Sequence, residues 1–332
     1  MKHPIVIAGG GLAGLSLAIA LRTRGVDVTL HEAGVYPRHR VCGEFISGVT
    51  NETLDTLGIA KALMNATPLS SAVWNDHRGR VCEMQVSARG ISRWILDDTL
   101  QRQFTSLGGK ITTQSRILPS SGTIWAAGRP RRSGPWIGLK CHATKLSLTH
   151  DLEMHLASNG YLGLAKIEEG KVNICALFKK PTPAGAKGTS LLTAMLRESG
   201  LNETADRLNA ATLHESTFCG VAGFQTGRQP SFGFSIGDAT HMIPPLTGNG
   251  MSMAFESAEI ALPHALNYAR GDCSWDAAAA SCTSHLDTRF RTRMIASAGI
   301  HHFLTAPATS RVATTLARTR LLPINPLLHL LR

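Results

Sequence analysis

The chain has 332 residues, enough for about two domains at roughly 150 residues each. Apolar side chains make up 43% of it and charged ones 17%, which excludes a disordered chain, and the 32 glycines follow no every-third-residue period, which excludes collagen. The formal charge of +11 suits anionic partners such as cofactor phosphates, and the seven cysteines, odd in number and without C-x-x-C, point to a reducing, cytoplasmic setting rather than a disulfide framework.

His3 to Ala8 reads as a short buried strand, with Ile5, Val6 and Ile7 in a row. Gly9-Gly10-Gly11-Leu12-Ala13-Gly14 then fits G-x-G-x-x-G, and Leu12 to Arg24 reads as a helix stopped by Gly25. Val26 to His31 alternates as a second strand, ended by Glu32 and Ala33. The uncharged run from Ile5 to Leu21 is short for a membrane span and carries four glycines, so neither a span nor a signal peptide is expected there. Each small residue has a physical job. Gly9 permits the tight turn, Gly11 lets a pyrophosphate approach the backbone, and Gly14 with Ala18 lets the helix lie close to the strand. The helix start at Leu12 and Ala13 offers free N–H groups to the phosphates, and Glu32 can accept hydrogen bonds from a ribose. This unit marks a dinucleotide site but does not separate NAD from FAD.

Further along come Pro37-Arg38-His39-Arg40-Val41-Cys42-Gly43-Glu44-Phe45-Ile46-Ser47, then Ser92-Arg93-Trp94-Ile95-Leu96-Asp97, then Ala126-Ala127-Gly128-Arg129. Near the end lie Ile236-Gly237-Asp238-Ala239 and Pro244-Pro245-Leu246-Thr247-Gly248-Asn249-Gly250-Met251, followed by a helical stretch from Ser252 to Leu262. In this order the segments resemble the FAD-dependent oxidoreductases that include geranylgeranyl reductases, relatives of the electron-transfer-flavoprotein–quinone oxidoreductases, flavin-dependent halogenases and class A aromatic hydroxylases. The resemblance covers most of the chain. It is specific at residues 5–32 and 236–254 and looser between them.

The resemblance implies an α/β fold: a Rossmann-like FAD-binding domain of the glutathione-reductase/p-hydroxybenzoate-hydroxylase type, a β-sheet substrate domain and C-terminal helices. Residues 1–73, 89–135 and 228–290 would form the first, 74–88 and 136–227 the second, and 291–332 a helical cap. Strands are expected over 161–167, 171–178 and 213–221, with a helix over 189–199. FAD is the implied cofactor, held by Gly9, Gly11, Leu12, Ala13, Gly14, Glu32 and Ala33 at the adenosine diphosphate. Asp238 would hold the ribityl chain, and Pro244, Gly248, Asn249, Gly250 and Met251 would face the ring system. Gly128 belongs to the second turn, where Ala127 replaces the Asp or Thr of many relatives. Arg40 and Arg93 are candidates for phosphate or ribose contacts, or for plain surface ion pairs.

Cys42 is the one candidate for a chemical role, as a redox or proton-transfer partner, with Arg38, His39 and Arg40 placed to lower its thiol pKa; the alternative is a small packing residue. The 14 histidines show no metal-ligand spacing, and no metal is expected. The W-x-W-x-I-P signature of tryptophan-type halogenases is absent. From His285 onward the chain has seven arginines against one acid, Asp287. That basic tail either closes the fold or touches a membrane surface peripherally.

The expected function is an FAD-dependent oxidoreductase acting on a small apolar organic substrate, with NAD(P)H as a transient reductant. The R-x-C-G-E segment tilts the reading towards reduction or dehydrogenation. Hydroxylation through a flavin hydroperoxide is the alternative, a non-catalytic flavin-binding regulator a second, and electron transfer to quinone at a membrane a third. No nucleic-acid partner is expected, and substrate identity and oligomeric state stay open.

Overall fold

In the computed structural model the described residues are 1–129, 133–230, 232–322, 326–327 and 330–331. Pro323 and Arg332 of the basic tail lie outside them. The strands are β1 (Ile5–Ala8), β2 (Val28–His31), β3 (Phe45–Ser47), β4 (Thr67–Asp76), β5 (Gly79–Gly90), β6 (Lys110–Thr112), β7 (Thr123–Trp125), β8 (Trp136–Thr144), β9 (Leu152–Ala157), β10 (Gly160–Lys166), β11 (Val172–Lys179) and β12 (Thr212–Ala222), with a separate two-residue pair β13 (Gly227–Arg228) and β14 (His241–Met242). The helices are α1 (Leu12–Thr23), α2 (Asn51–Leu57), α3 (Arg93–Ser106), α4 (Gly188–Glu198), α5 (Asn202–Ala210), α6 (Gly250–Arg270), α7 (Trp275–Thr305) and α8 (Pro307–Arg318).

A parallel sheet in the order β6-β2-β1-β7 carries the nucleotide fingerprint. Its strands are short, and Ile5, Ile7, Val28 and Leu30 turn their side chains into the core. Every residue of α1 from Leu12 to Leu21 is buried, and α1, α3 and α6 share one apolar core with β1 and β2. Local chemistry sets the helix ends. Ser92 Oγ accepts from Ile95 N at 3.2 Å to start α3, and Gly271, at φ +81°, ends α6. The backbone of Phe234 and Ile236 bonds to Trp125, so the chain returns beside β7 just before Gly237.

The second sheet has eight strands in the order β12-β8-β11-β10-β9-β4-β5-β3, antiparallel except for the β4–β9 pair. Alternation decides its faces. Leu139, Cys141 and Ala143 of β8 pack under α4 and α5, while Lys140 and His142 point the other way, towards the nucleotide-binding layer. The far part of that second face is roofed by the C-terminal helices: Leu304, Ala313 and Ala317 are buried in the cluster that holds Trp74, Tyr161 and Leu177.

The expected strands and helix of the substrate domain appear within a residue or two. Two boundaries need correction. The sheet takes all of β4 and β5 and also β3, because Phe45–Ser47 pairs with Ala88–Gly90, so it draws on chain given above to the FAD domain. The cap does not begin at Arg291, since α7 runs unbroken from Trp275 to Thr305. Among the described residues no helix is long and apolar enough to cross a membrane.

Candidate flavin site

The phosphate turn is built by exclusion. A Cβ on Gly9, at φ +112°, would lie 2.3 Å from the Ala126 carbonyl oxygen, and one on Gly14 would lie 2.0 Å from the Gly9 carbonyl oxygen. Strand, helix and second turn therefore touch through backbone alone. Tyr36 Oη donates to the Gly10 carbonyl at 2.5 Å. Gly11 differs from the others: nothing lies within 4 Å of where its Cβ would be. It is the N-cap of α1 without a side-chain cap, so the first-turn N–H groups of Leu12, Ala13 and Gly14 open towards that space. An unfilled cradle over free donors at the positive end of a helix fits a diphosphate.

A chain of charges runs from this turn to the second bend. Glu32 is buried; its Oε2 accepts from Gly10 N, and its Oε1 from Gly34 N and Arg38 Nη2, each at 2.8 Å. Arg40 Nη2 stands 3.7 Å from Glu32, and Arg40 Nε donates to Asp97 at 3.0 Å. Arg93 grips the same fully buried Asp97 with two bonds, at 2.7 and 2.8 Å. Arg40 and Arg93 are thus not surface ion pairs. Arg38 Nε and Arg40 Nη2 are buried without a hydrogen-bond acceptor, as fits a site whose acceptors arrive with a ligand. Burial lowers the Arg40 pKa, with Arg93 adding to the effect. Tyr36, Arg38 and Asp97 were not among the candidates read from the sequence. The Arg93–Asp97 spacing of four within a helix was the available signal for Asp97.

The second bend closes on the first. A Cβ on Gly237, at φ +64°, would come within 3.0 Å of the Ala13 Cβ, and Gly237 N donates to Ser257 Oγ at 3.1 Å. Asp238 follows; burial pushes its carboxyl up to about 6 against the pull of Arg93 and Arg129. Pro244 leads into a 3₁₀ turn ended by Gly248 at φ +69°. A Cβ there would meet the Phe45 ring at 2.2 Å. Ser47 Oγ donates to Asn249 Oδ1 at 3.1 Å, and Asn249 Nδ2 to the Leu331 carbonyl at 2.8 Å. Gly250 and Met251 begin α6 without a side-chain cap. The structure thus packs residues 45–47 against 248–252, and Gly237 against α1. Gly128 lies in a turn at φ +75°, with nothing within 4 Å of its Cβ position. Ala33 follows Glu32 as an exposed residue.

The expectation for Cys42 is corrected. Burial pushes its thiol pKa up, and the charge opposing that rise is Arg93, not Arg38, His39 or Arg40. Its carbonyl accepts from Asn173 Nδ2 at 3.0 Å, so it joins the segment to the sheet.

Beside it lies a cluster that no sequence spacing announced. Glu44 and Lys140 are both at 0% exposure, 3.1 Å apart. His142 Nε2 is 2.6 Å from the other Glu44 oxygen, and Lys140 Nζ is 3.1 Å from His39 Nδ1. His39 stacks on Trp94 with ring centroids 4.5 Å apart. Burial and the Lys140 charge push the His39 pKa down to about 4, so this imidazole is a neutral acceptor for the ammonium. Among the described residues His39, Glu44 and His142 bring ligating atoms within 4.8 Å of one another. Lys140 places its own ammonium against two of the three, and a second cation there would be repelled. These residues form a charge clamp between the 37–47 segment and β8.

Residues 2–107 match the family model described as FAD binding domain, about a third of the chain. No curated protein matches the sequence. Among solved structures, p-nitrophenol 4-monooxygenase PnpA from Pseudomonas putida DLL-E4 superposes with a TM-score of 0.78 at 14% identity, over 99% of this chain and 96% of its own. Klebsiella pneumoniae HpxO, complexed with FAD and uric acid, does so at 0.78 and 16%, over 99% and 96%. The flavin-dependent brominase Bmp2 gives 0.75 and 15%, over 100% and 93%. An FAD-binding domain thus sits within a fold shared along its whole length with flavin-dependent oxidoreductases, and FAD is the cofactor of this chain.

Proposed function

We propose that the protein is an FAD-dependent monooxygenase that hydroxylates a small aromatic or otherwise apolar molecule, with NAD(P)H as the transient electron donor. The observation that carries this is the superposition on p-nitrophenol 4-monooxygenase, which leaves almost no part of either chain unmatched. The reductase reading, drawn from the R-x-C-G-E segment, has no comparable support.

FAD, when bound, supplies the redox chemistry. The chain's own residues bind and orient it. Gly11 and the α1 start receive the diphosphate, Glu32 the ribose, and Asp238 the ribityl chain. The Gly248–Met251 turn presents backbone N–H groups at the start of α6, which favour negative charge on the ring system. The roofed face of the eight-stranded sheet keeps the reacting volume away from water.

The test loads the purified protein with FAD and follows NADPH oxidation and dioxygen uptake with a panel of phenols and fused-ring aromatics, with and without bromide. One dioxygen consumed per hydroxylated product supports the proposal. Turnover without dioxygen would return the reductase reading, and a brominated product would move the chain towards Bmp2. No flavin cycling with any donor would favour a non-catalytic flavin binder.

A further inference from the structure

Three polar atoms on the roofed face of the eight-stranded sheet are buried without a hydrogen-bond partner: Trp74 Nε1, Tyr161 Oη and His301 Nδ1. Trp74 is 4% exposed and Tyr161 6%. They stand on one side of the sheet. Trp74 of β4 pairs with Met154 of β9, and Met154 with Gly163, two places along β10 from Tyr161. His301 comes from α7 above, edge-on to the Trp136 ring at 5.4 Å and to the Tyr161 ring at 6.3 Å. Buried polar side chains are nearly always satisfied, so three orphans among aromatic rings mark a place prepared for an absent partner.

Two observations put that place beside the flavin and give it an entrance. The apolar cluster around Trp74 and Tyr161 includes Val41 and Leu246, one from each segment that flanks the flavin site. Tyr161 Oη lies against the Leu246 backbone without a well-formed hydrogen bond to it. On the other side, a groove of about 760 Å³ between β5 and α8 is lined by Val81, Cys82, Met84 and Ala317, all of the same cluster, and Cys82 pairs directly with Trp74. That volume is in the usual range for a small-molecule site.

The donors define the ligand. An indole N–H only donates, a phenol donates readily, and neither is charged. Burial, with the Lys179 and His302 charges, lowers the His301 pKa, so that ring is also neutral. Two of the three arginines lining the groove are compensated, Arg80 by Glu83 and Arg318 by Asp76; Arg320 also lines it. A carboxylate seated on these three donors would exchange its water for neutral partners only.

We propose that Trp74, Tyr161 and His301 are the specificity-determining residues of the substrate site, and that they select a neutral, planar aromatic molecule bearing a carbonyl-type oxygen. This rests on the reading of the chain as a flavin-dependent monooxygenase and names its substrate class.

The test measures binding to the FAD-loaded protein by titration calorimetry with three probes of similar size: chromone, naphthalene and 1-naphthoate. Chromone is expected to bind at least about tenfold more tightly than either of the others. Tyr161→Phe and Trp74→Phe should each erase about five- to tenfold of that advantage and leave naphthalene binding within twofold. His301→Leu should do the same. Flavin absorbance and melting temperature check that each variant is folded. If the variants fail to fold, the ranking of the probes on the unaltered protein still decides. Equal binding of chromone and naphthalene, preference for 1-naphthoate, an unchanged ranking in all folded variants, or no saturable binding of any probe would overturn the proposal. The oxygenase reading fails separately: chromone that binds in the stated order while no aromatic triggers dioxygen uptake keeps the site and removes the reaction.

Discussion

Lys140 Nζ lies 3.1 Å from Glu44 Oε1, and neither side chain reaches solvent. Lys140 belongs to the substrate sheet and Glu44 to the segment that follows the nucleotide unit, so the pair locks the two layers together. Removing one partner leaves the other charge buried alone, which costs about 3–5 kcal/mol. Lys140→Met should therefore lose about that much in urea unfolding, and Glu44→Gln with Lys140→Met should recover most of it. A loss below about 1 kcal/mol in the single variant would mean that the clamp is wet. The pH dependence has a definite sign. Burial alone would raise the Glu44 pKa, but the His142 bond and the Lys140 charge hold it below the ordinary 4.5. A depressed carboxylate contributes stability in full above its unfolded value and loses it as pH falls through the folded one. The unaltered protein should thus lose stability below about pH 4.5, and the double variant should lose less.

Gly11 and Gly14 stand in one fingerprint but meet different surroundings. A side chain on Gly11 enters open space, whereas one on Gly14 collides with the Gly9 backbone at 2.0 Å. Gly11→Val should abolish FAD retention, seen as loss of visible absorbance, while the FAD-free protein melts within a few degrees of the unaltered one. Gly14→Val should lower the melting temperature of the FAD-free protein itself, because α1 must move off β1. FAD retained at full stoichiometry in Gly11→Val would remove the diphosphate from this turn.

The contrast between these two sites shows what the sequence could reveal. The βαβ unit was legible because its glycine spacing is a local geometric demand, met within one stretch of chain. Three strands of the outer sheet, β10, β11 and β12, were legible through the family resemblance. Lys140, His142 and His39 were not, since their meeting with Glu44 depends on which face of β8 turns inward and on how the 37–47 segment crosses it. Trp74, Tyr161 and His301 were hidden for the same reason: three distant elements bring them together, and each alone reads as core. The reach of the sheet was misjudged because β3 is only three residues long, and its pairing with Ala88–Gly90 is set by tertiary packing. The thiol chemistry of Cys42 was not legible because the cations beside it in sequence turn to other partners, Arg38 to Glu32 and Arg40 to Asp97.

Asp238 gives a second pH signature, opposite in sign to that of Glu44. Burial raises its carboxyl from the ordinary 3.8 to about 6, so the fold disfavours the charged form. A raised carboxyl costs nothing below the unfolded value, takes stability away as pH climbs from 3.8 to about 6, and leaves a constant deficit above. That deficit is at most roughly 3 kcal/mol by linkage. In the FAD-free protein Asp238→Asn should therefore raise the melting temperature at pH 7.5 and match the unaltered protein at pH 4. In the same variant FAD should dissociate more readily at pH 7.5 if Asp238 holds the ribityl hydroxyls. A lower melting temperature for Asp238→Asn at pH 7.5 would show that Arg93 and Arg129 depend on its charge.

The C-terminal helices carry the last prediction. Ala313 and Ala317 of α8 are buried against the sheet, and Arg318 of the same helix pairs with Asp76 at the end of β4. The basic tail thus closes the fold through its inward face, whatever its outward face touches. Ending the chain at Ala306 should uncover the apolar cluster around Trp74. The shortened protein should bind a hydrophobic dye several-fold more strongly and melt several degrees lower, yet keep FAD, because none of the residues placed at the diphosphate lies beyond Ala306. Loss of FAD together with the tail would point instead to the Leu331 carbonyl, whose bond to Asn249 at 2.8 Å would then be holding the flavin-facing turn in place. An Asn249→Ala variant of the full chain separates the two: it should lose FAD as well if that bond fixes the turn, and retain it if the tail only roofs the sheet.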